Sequence, residues 1–419
     1  GLDESRKPLY IERPTFEETN VQICGSMGSG KGVQAQILLS QLIKQGDAVV
    51  TFDPKFDDYL PHVLKRACEQ NGKPFFFFNL RENTPQISPF FGTNEHEIAE
   101  IFIAAFDLED RGTDADVYKV SARKSAQKIA QYLVSNELYI SQIPSHLDLI
   151  LNADELKFSK AFIEKIETIS KVVALQTSSG SELIDVIKQG GCAYIVGDDV
   201  GVIQDAQKML LVRVLQLIKN IPVHERCFVS IFADEVKALL CPLLVNQSGQ
   251  LRARRANLIY AHQSDADLSV IGSNFAEILK DNSALSWFYK QKRYEAALEV
   301  AQMTGTKKAQ TSTYTTENNH LGMEIRASDE RRSVETQTYF IDTNVIQTLP
   351  KRSAVLIGDG LAKIGFCSPI SVDNKKILHV HQAPRLDVNN SDDAVLHEAG
   401  SARSNAKSAP DFLDVLNEQ

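Results

Sequence analysis

Apolar residues in this chain fall into short runs separated by polar stretches with helical spacing, and that alternation predicts an α/β protein. Val21 to Cys24 is the first run, and Val33, Ile37 and Leu38 follow it at helical spacing. Ala48 to Phe52 is the second. A helical stretch from Asp58 to Gln70 leads from it to Pro74–Asn79, whose four consecutive phenylalanines suit a buried parallel strand. From about Asn94 to Gln189 the character changes. Glu97 to Phe106, Ala115 to Val134 and Ser159 to Val173 carry helical periodicity, with no strong strand between them. Strands resume at Cys192 to Val196, and a helix is expected over Gln204 to Lys219. Further strands are expected over Cys227 to Phe232, Leu258 to Ala261 and Ala284 to Tyr289. The sheet is therefore expected to be built from both sides of an all-helical insertion. Beyond about Pro384 the chain is rich in Asn, Ser, Asp and Ala and predicts a mobile tail, its end (Phe412 to Leu416) either a short docking helix or a frayed terminus.

Between the first run and its helix stands Gly-Ser-Met-Gly-Ser-Gly-Lys-Gly, residues 25–32. Strand, Gly-rich loop, Lys and helix is the setting a Walker A phosphate loop requires. Gly25, Gly28 and Gly30 let the backbone turn tightly, so that successive N–H groups across Ser26, Met27, Ser29 and on to Val33 point at one spot. Lys31 adds a point charge for the β- and γ-phosphates, and the helix N-terminus adds its partial positive charge. Gly32 stands where a Ser or Thr hydroxyl would normally ligate Mg²⁺, so the metal must lean on other groups. ATP with Mg²⁺ is the expected ligand.

Two later runs carry matching chemistry. Val229-Ser-Ile-Phe-Ala-Asp-Glu235 reads as a buried strand with two carboxylates emerging at its end, a Walker B arrangement. Asp234 would hold Mg²⁺, directly or through water, and Glu235 would act as general base on the attacking water. Leu258-Ile-Tyr-Ala-His-Gln-Ser264 is a second such strand, with Gln263 placed to sense the γ-phosphate or orient the lytic water. His262 beside it reads as a satisfied strand-end histidine rather than a catalyst.

Composition narrows the field. At 419 residues the chain has room for two to three domains, and 43% hydrophobic with 24% charged residues is ordinary for a globular protein. A net charge of -9 argues against a uniformly basic nucleic-acid coat while leaving local basic loops open. The six cysteines are scattered, without Cys-x-x-Cys or a histidine at metal spacing, so reduced thiols are expected, with Cys24 and Cys227 as small core residues. No apolar run reaches the roughly 18 residues that a membrane helix needs. The chain begins at Gly1 rather than Met, which leads to the expectation that a membrane segment has been lost ahead of it.

Together, Gly25 to Val33, Phe52-Asp-Pro-Lys55, Phe232-Ala-Asp-Glu235 and Ala261-His-Gln-Ser264 resemble the TraG/TraD-type coupling proteins of conjugation and type IV secretion systems. Asn274, Asn282, Met303-Thr-Gly305 and Leu349-Pro350 fall in order where that family carries later landmarks, so the resemblance spans roughly residues 15–370. It implies a RecA-like P-loop nucleotide-binding domain with a mostly parallel central sheet and an inserted all-α domain. On this division the nucleotide-binding domain takes residues 1–93 and 190–384, the insertion 94–189 and a flexible tail 385–419. It further implies an ATP-driven motor that closes as a homo-hexamer on the cytoplasmic face of the bacterial inner membrane and is a monomer once its anchor is gone. Its cargo would be DNA, as a single-stranded transfer intermediate, with relaxase or effector proteins, passed to inner-membrane channel components. Ring ATPases of this kind use an arginine from the neighbouring subunit. Arg254 and Arg255, on the helical stretch before the Gln263 strand, and Arg293, after the next strand, are the candidates. The insertion shows no motif that matches the family tightly, and the family's N-terminal membrane helices are absent from the sequence. An FtsK/HerA-type DNA translocase shares the same core but lacks a helical insertion at this point. A nucleotide-binding adaptor that hydrolyses nothing is the other alternative, suggested by Gly32.

Overall fold

The apolar runs become the strands of a single sheet. They are β1 (Val21–Cys24), β2 (Ala48–Asp53), β3 (Phe75–Asn79), β4 (Gly191–Val196), β5 (Val229–Ala233), β6 (Ala256–His262) and β7 (Leu285–Tyr289). A separate ribbon follows, β8 (Thr306–Asn318) and β9 (Ile325–Tyr339), and then β10 (Ser353–Ile357) and β11 (Lys363–Phe366). The structure, a computed structural model, describes residues 1–112, 114–318, 325–373 and 376–386. The tail expected beyond them, with Phe412 to Leu416, lies outside the described residues. Residues 1–384 form one compact unit.

Across the sheet the order is β11-β10-β7-β1-β6-β5-β2-β4-β3. Every neighbouring pair from β7 to β3 is parallel, and β10 and β11 close the other edge antiparallel. This is the RecA-like P-loop α/β architecture, a mostly parallel sheet with helices on both faces. The four phenylalanines lie on the outermost strand rather than mid-sheet, and Phe75 and Phe76 are only half-buried. The chain returns to cover that edge. His381 donates its N–H to the Phe77 carbonyl at 2.8 Å, and its ring sits 5.5 Å from both Phe76 and Phe78. A parallel strand at an edge leaves backbone groups unpaired, so a covering segment is the physical answer.

Alternation along the strands sorts side chains into two layers. Val49, Ile23 and Ile259 face Leu39 and Ile43, which belong to the helix Lys31–Lys44, and Leu60 and Leu64 of the helix Leu60–Gln70. Val50, Phe52, Ile231, Leu258 and Tyr260 face the other way, onto the long buried helix Gly201–Asn220. Between β3 and β4 lie six α-helices and, among the described residues, no strand. They share that second core directly: Phe102 and Ile129 from this run sit in the same apolar cluster as Met209 and Leu210. Truncating one such residue, Leu39→Ala for example, costs about 2–5 kcal/mol.

Several boundaries differ from expectation for local reasons. The helix expected over Ala115 to Val134 opens as a 3-10 turn, Asp114–Lys119, and becomes α-helical at Val120. The helix expected over Ser159 to Val173 stops at Ile169. Strand β5 starts at Val229, which leaves Cys227 half-buried just before it rather than in the core. The other five cysteines are buried, and all six are free thiols. The β8–β9 ribbon, with an irregularity between Tyr314 and Thr316, gave no sign in the apolar pattern because its sequence lacks an apolar alternation. No helix among the described residues is long and apolar enough to cross a membrane.

Candidate nucleotide site

Strands β1, β6, β5 and β2 are adjacent and parallel, so the loops after their carboxyl ends lie side by side. Residues far apart in sequence gather there: Lys31 after β1, Gln263 after β6, Asp234 and Glu235 after β5, and Lys55 and Asp57 after β2. In open α/β sheets this is the edge that takes ligands.

The loop 25–30 owes its shape to close approaches. A side chain at Gly25 would put its Cβ 2.6 Å from the Cβ of Tyr289, and one at Gly30 would put it 2.8 Å from the Cα of Arg352. Gly30 also has φ of +128°, which L side chains resist. Arg352 donates its backbone N–H to the Ser29 carbonyl at 2.7 Å, so the antiparallel edge of the sheet braces the loop from outside. Lys31 starts the helix Lys31–Lys44, and its Nζ donates to the Gly25 carbonyl at 2.5 Å, bent back over the loop. Burial lowers the pKa of Lys31, while Glu235 and Asp234 pull it the other way. Met27 stands exposed at the tip.

Glu235 is the centre of the charge network. It occupies the left-handed region, φ 48° and ψ 60°, which turns the chain sharply off β5. Its Oε1 accepts from Gln263 Nε2 at 2.8 Å and pairs with Lys55 Nζ at 2.9 Å. Its Oε2 is buried and has no hydrogen-bond partner among the described residues, and neither has Ser29 Oγ in the loop. Burial pushes the carboxyl of Asp234 up to about 7, helped by repulsion from Asp53 and Glu235 and opposed by Lys31. Asp53, fully buried at the end of β2, accepts the N–H groups of Lys55, Phe56 and Asp57 at 3.0, 2.8 and 2.7 Å and the Tyr194 hydroxyl at 2.5 Å. It thereby sets the loop that presents Lys55.

His262 is fully buried. Its Nε2 lies 2.9 Å from the amide nitrogen of Gln22, which can only donate, so Nε2 accepts. Its Nδ1 therefore carries the proton and donates to the Ser264 carbonyl at 3.0 Å. Both nitrogens are used, and burial lowers the pKa.

The three arginines fall at two ends of the sheet. Arg254 ends a 3-10 turn, Arg252–Arg254, and Arg255 follows in the left-handed region, so the expected helical stretch is a single turn. Both precede β6, at the end of the sheet opposite the phosphate loop. Arg293 follows β7 at the loop end, largely exposed, beside Glu295.

No family model matches the chain. A curated relative, Mobilization protein A of Escherichia coli, is 28% identical over 312 residues, which are 72% of this chain; the chain spans 57% of that protein's length. The bacterial conjugative coupling protein TrwBdeltaN70, in an unbound form, matches with a TM-score of 0.69 at 15% identity, over 88% of this chain and 89% of its own. TrwB in complex with the ATP analogue ADPNP matches with a TM-score of 0.65 at 16% identity, over 91% of each chain. VirB4 of Thermoanaerobacter pseudethanolicus matches with a TM-score of 0.56 at 13% identity, over 88% of this chain and 96% of its own. The fold is that of the conjugative coupling proteins. TrwB has also been solved with ADP and Mg²⁺.

Within that coupling-protein fold, the sequence reading singled out the phosphate loop, Asp234, Glu235 and Gln263, and the structure brings them together. It passed over three contributors. Lys55 stood in the Asp-Pro-Lys step, but its pairing with Glu235 depends on β2 lying beside β5. Arg352 reaches the loop from a turn more than three hundred residues later, with no local motif to mark it. Asp57 sits two residues beyond Lys55 and faces Gly32 from another element, a placement with no local motif to mark it.

Proposed function

We propose that this chain is the ATP-driven motor part of a conjugative coupling protein, which delivers DNA–relaxase complexes or protein substrates to a type IV secretion channel. The observation that carries the reading is the convergence of Lys31, Asp234, Glu235 and Gln263 from three adjacent strands at the mouth of one glycine-rich loop. In this reading residues 25–33 cradle the phosphates and Lys31 swings from the Gly25 carbonyl to them. Asp234 would hold Mg²⁺, directly or through water, and the metal would supply neutralisation of the phosphate charge. Glu235, drawn between Lys55 and Gln263, takes the proton of the attacking water, and Gln263 orients that water. The residues present suit such a ligand: a buried carboxylate oxygen with no partner among the described residues, a loop where a Cβ at Gly25 or Gly30 would clash, and two lysines facing four carboxylates.

The same proposal divides the chain into a nucleotide-binding domain, 1–93 and 190–384, and a helical insertion, 94–189. The helices between β3 and β4 support it over an FtsK/HerA-type translocase, which lacks them. It places the working protein as a homo-hexamer at the cytoplasmic face of the inner membrane, with Arg254, Arg255 or Arg293 completing a neighbour's site. Specific activity measured against protein concentration, with mass by light scattering in parallel, tests this. ATPase should rise more than linearly as rings close. One arginine-to-Ala variant should lose that gain, by about 10³–10⁵ in rate, while still binding nucleotide. A monomer working at full rate regardless of concentration would defeat the ring, and a chain that binds ATP without turnover under any condition would leave only the adaptor.

A further inference from the structure

We propose that Asp57 supplies, from the loop after β2, the metal-side oxygen that Gly32 withholds from the phosphate loop. This rests on the nucleotide-binding reading above. Gly32 is exposed in the first turn of its helix, where a Ser or Thr would carry its hydroxyl towards the cation. A Cβ built there lies 3.3 Å from Asp57 Oδ2, so the place of that missing side chain is faced by a carboxylate oxygen of another element.

The two oxygens of Asp57 are used differently. Oδ1 accepts the N–H groups of Tyr59 and Leu60 at 2.8 and 2.7 Å, at the start of the helix Leu60–Gln70. Oδ2 carries no hydrogen bond among the described residues. The backbone N–H of Asp57 is held by Asp53 Oδ2 at 2.7 Å, and Asp53 is fixed in turn by Tyr194. A residue needed only as a helix cap has no reason to be anchored at both ends with its free oxygen aimed at the phosphate loop. Buried Asp53 and Tyr194 make that aim rigid.

Charge and coordination chemistry agree. Asp53, Asp57 and Glu235 act on Asp234 against Lys31, while Lys55 pairs with Glu235, so this group of described residues carries more negative than positive charge for a divalent cation to offset. No group of three or more His, Cys, Asp or Glu among the described residues forms a ready cage. That is what Mg²⁺ asks for: it binds through one or two carboxylates plus phosphate oxygens and keeps several waters. A carboxylate in place of a neutral hydroxyl tightens the hold on the cation at the cost of repelling the phosphates when the cation is absent.

The test uses the full chain with ADP and Mn²⁺. ADP affinity is measured by calorimetry in EDTA, and Mn²⁺ affinity of the ADP-saturated protein by the EPR signal of free Mn²⁺. Asp57→Asn keeps Oδ1 for the helix cap, so folding is preserved, which thermal unfolding checks. This variant should hold ADP in EDTA as well as the parent or better, and bind Mn²⁺ about 10–100-fold more weakly. Adding Gly32→Ser to it should recover most of the Mn²⁺ affinity. Unchanged Mn²⁺ affinity in Asp57→Asn would overturn the assignment. So would a double variant as weak as the single one, which would make Asp57 only a shaper of its loop. A parent chain that binds ADP neither in EDTA nor with Mn²⁺ present would instead remove the phosphate-loop reading itself, a result that shows before any Asp57 variant is made.

Discussion

The two ends of the central sheet are both rich in polar and charged side chains, yet they treat them differently. At the amino end, before β1, β2, β5 and β6, partners are complete. Arg13 makes a two-pronged pair with Asp47 at 2.5 and 2.8 Å and lies 5.0 Å over the Phe228 ring. Buried Asn20 gives its amide to the carbonyls of Ser248 and Asn282, both at 3.1 Å, and accepts the Leu258 N–H at 2.9 Å. Asn257 donates to the Phe16 carbonyl and accepts from Ser230, and Arg226 ties down the carbonyls of Ile221, Arg254 and Arg255. At the carboxyl end, among the described residues, Asp53, Asp57, Asp234 and Glu235 meet Lys31 and Lys55, and one oxygen of Glu235 and the hydroxyl of Ser29 are buried without partners. A buried polar atom left unpaired costs roughly 1–3 kcal/mol. The amino end spends nothing of that kind and stitches the fold; on the proposed function, a bound nucleotide is what completes the set at the carboxyl end.

If that contrast is right, substitutions at the two ends should separate function from stability. The largest effect belongs to Glu235→Gln, which should still bind ATP while turnover falls by about 10²–10⁴, the usual worth of a positioned base. Steady-state ATPase beside a binding titration reads both. Lys31→Ala should come next, with turnover down about 10²–10³ and weaker phosphate binding, and an unchanged circular dichroism spectrum. Normal turnover in both variants would mean that the unpaired end has been misread.

Asn20→Ala should do the reverse. Losing one buried side chain that links β1 to β6 and to two carbonyls should cost about 2–4 kcal/mol in urea unfolding and leave the nucleotide affinity of the folded protein alone. Loss of affinity without loss of stability would break the comparison.

The smallest and sharpest effect is in pH. The folded protein raises the Asp234 carboxyl to about 7, so holding that proton adds stability at acid pH which is lost as pH rises through about 7. Asp234→Asn should therefore melt higher than the parent at pH 8 without ligand, and the difference should shrink as pH falls and be nearly gone near pH 4, where the carboxyl is protonated in the unfolded chain as well. The same variant should weaken Mg²⁺-dependent nucleotide binding, most visibly above pH 7, where the parent carboxylate is free to take the metal. Parallel melting curves for the two proteins at both values would show that Asp234 ionises normally.

Much was legible in the sequence because it is local. Strand, Gly-rich turn, lysine and helix lie within consecutive residues, and the acidic pair ends its own apolar run, so periodicity and spacing alone located β1, β5, β6 and the loop between Gly25 and Gly32. Apolar runs also located β2, β4 and β7, since a strand covered on both faces needs an unbroken run. The order β1-β6-β5-β2 was not legible, and with it went Lys55 on Glu235, Arg352 against Ser29 and Asp57 against Gly32. Each of these contacts joins loops distant in sequence, whose meeting depends on which strands pair. The β8–β9 ribbon was missed for another reason: a two-stranded ribbon without an apolar side leaves no period to read. Sequence by itself determined the chemistry that each loop carries. Tertiary structure decided which loops are neighbours, because hydrogen bonding between strands, rather than anything within them, sets the order of the sheet.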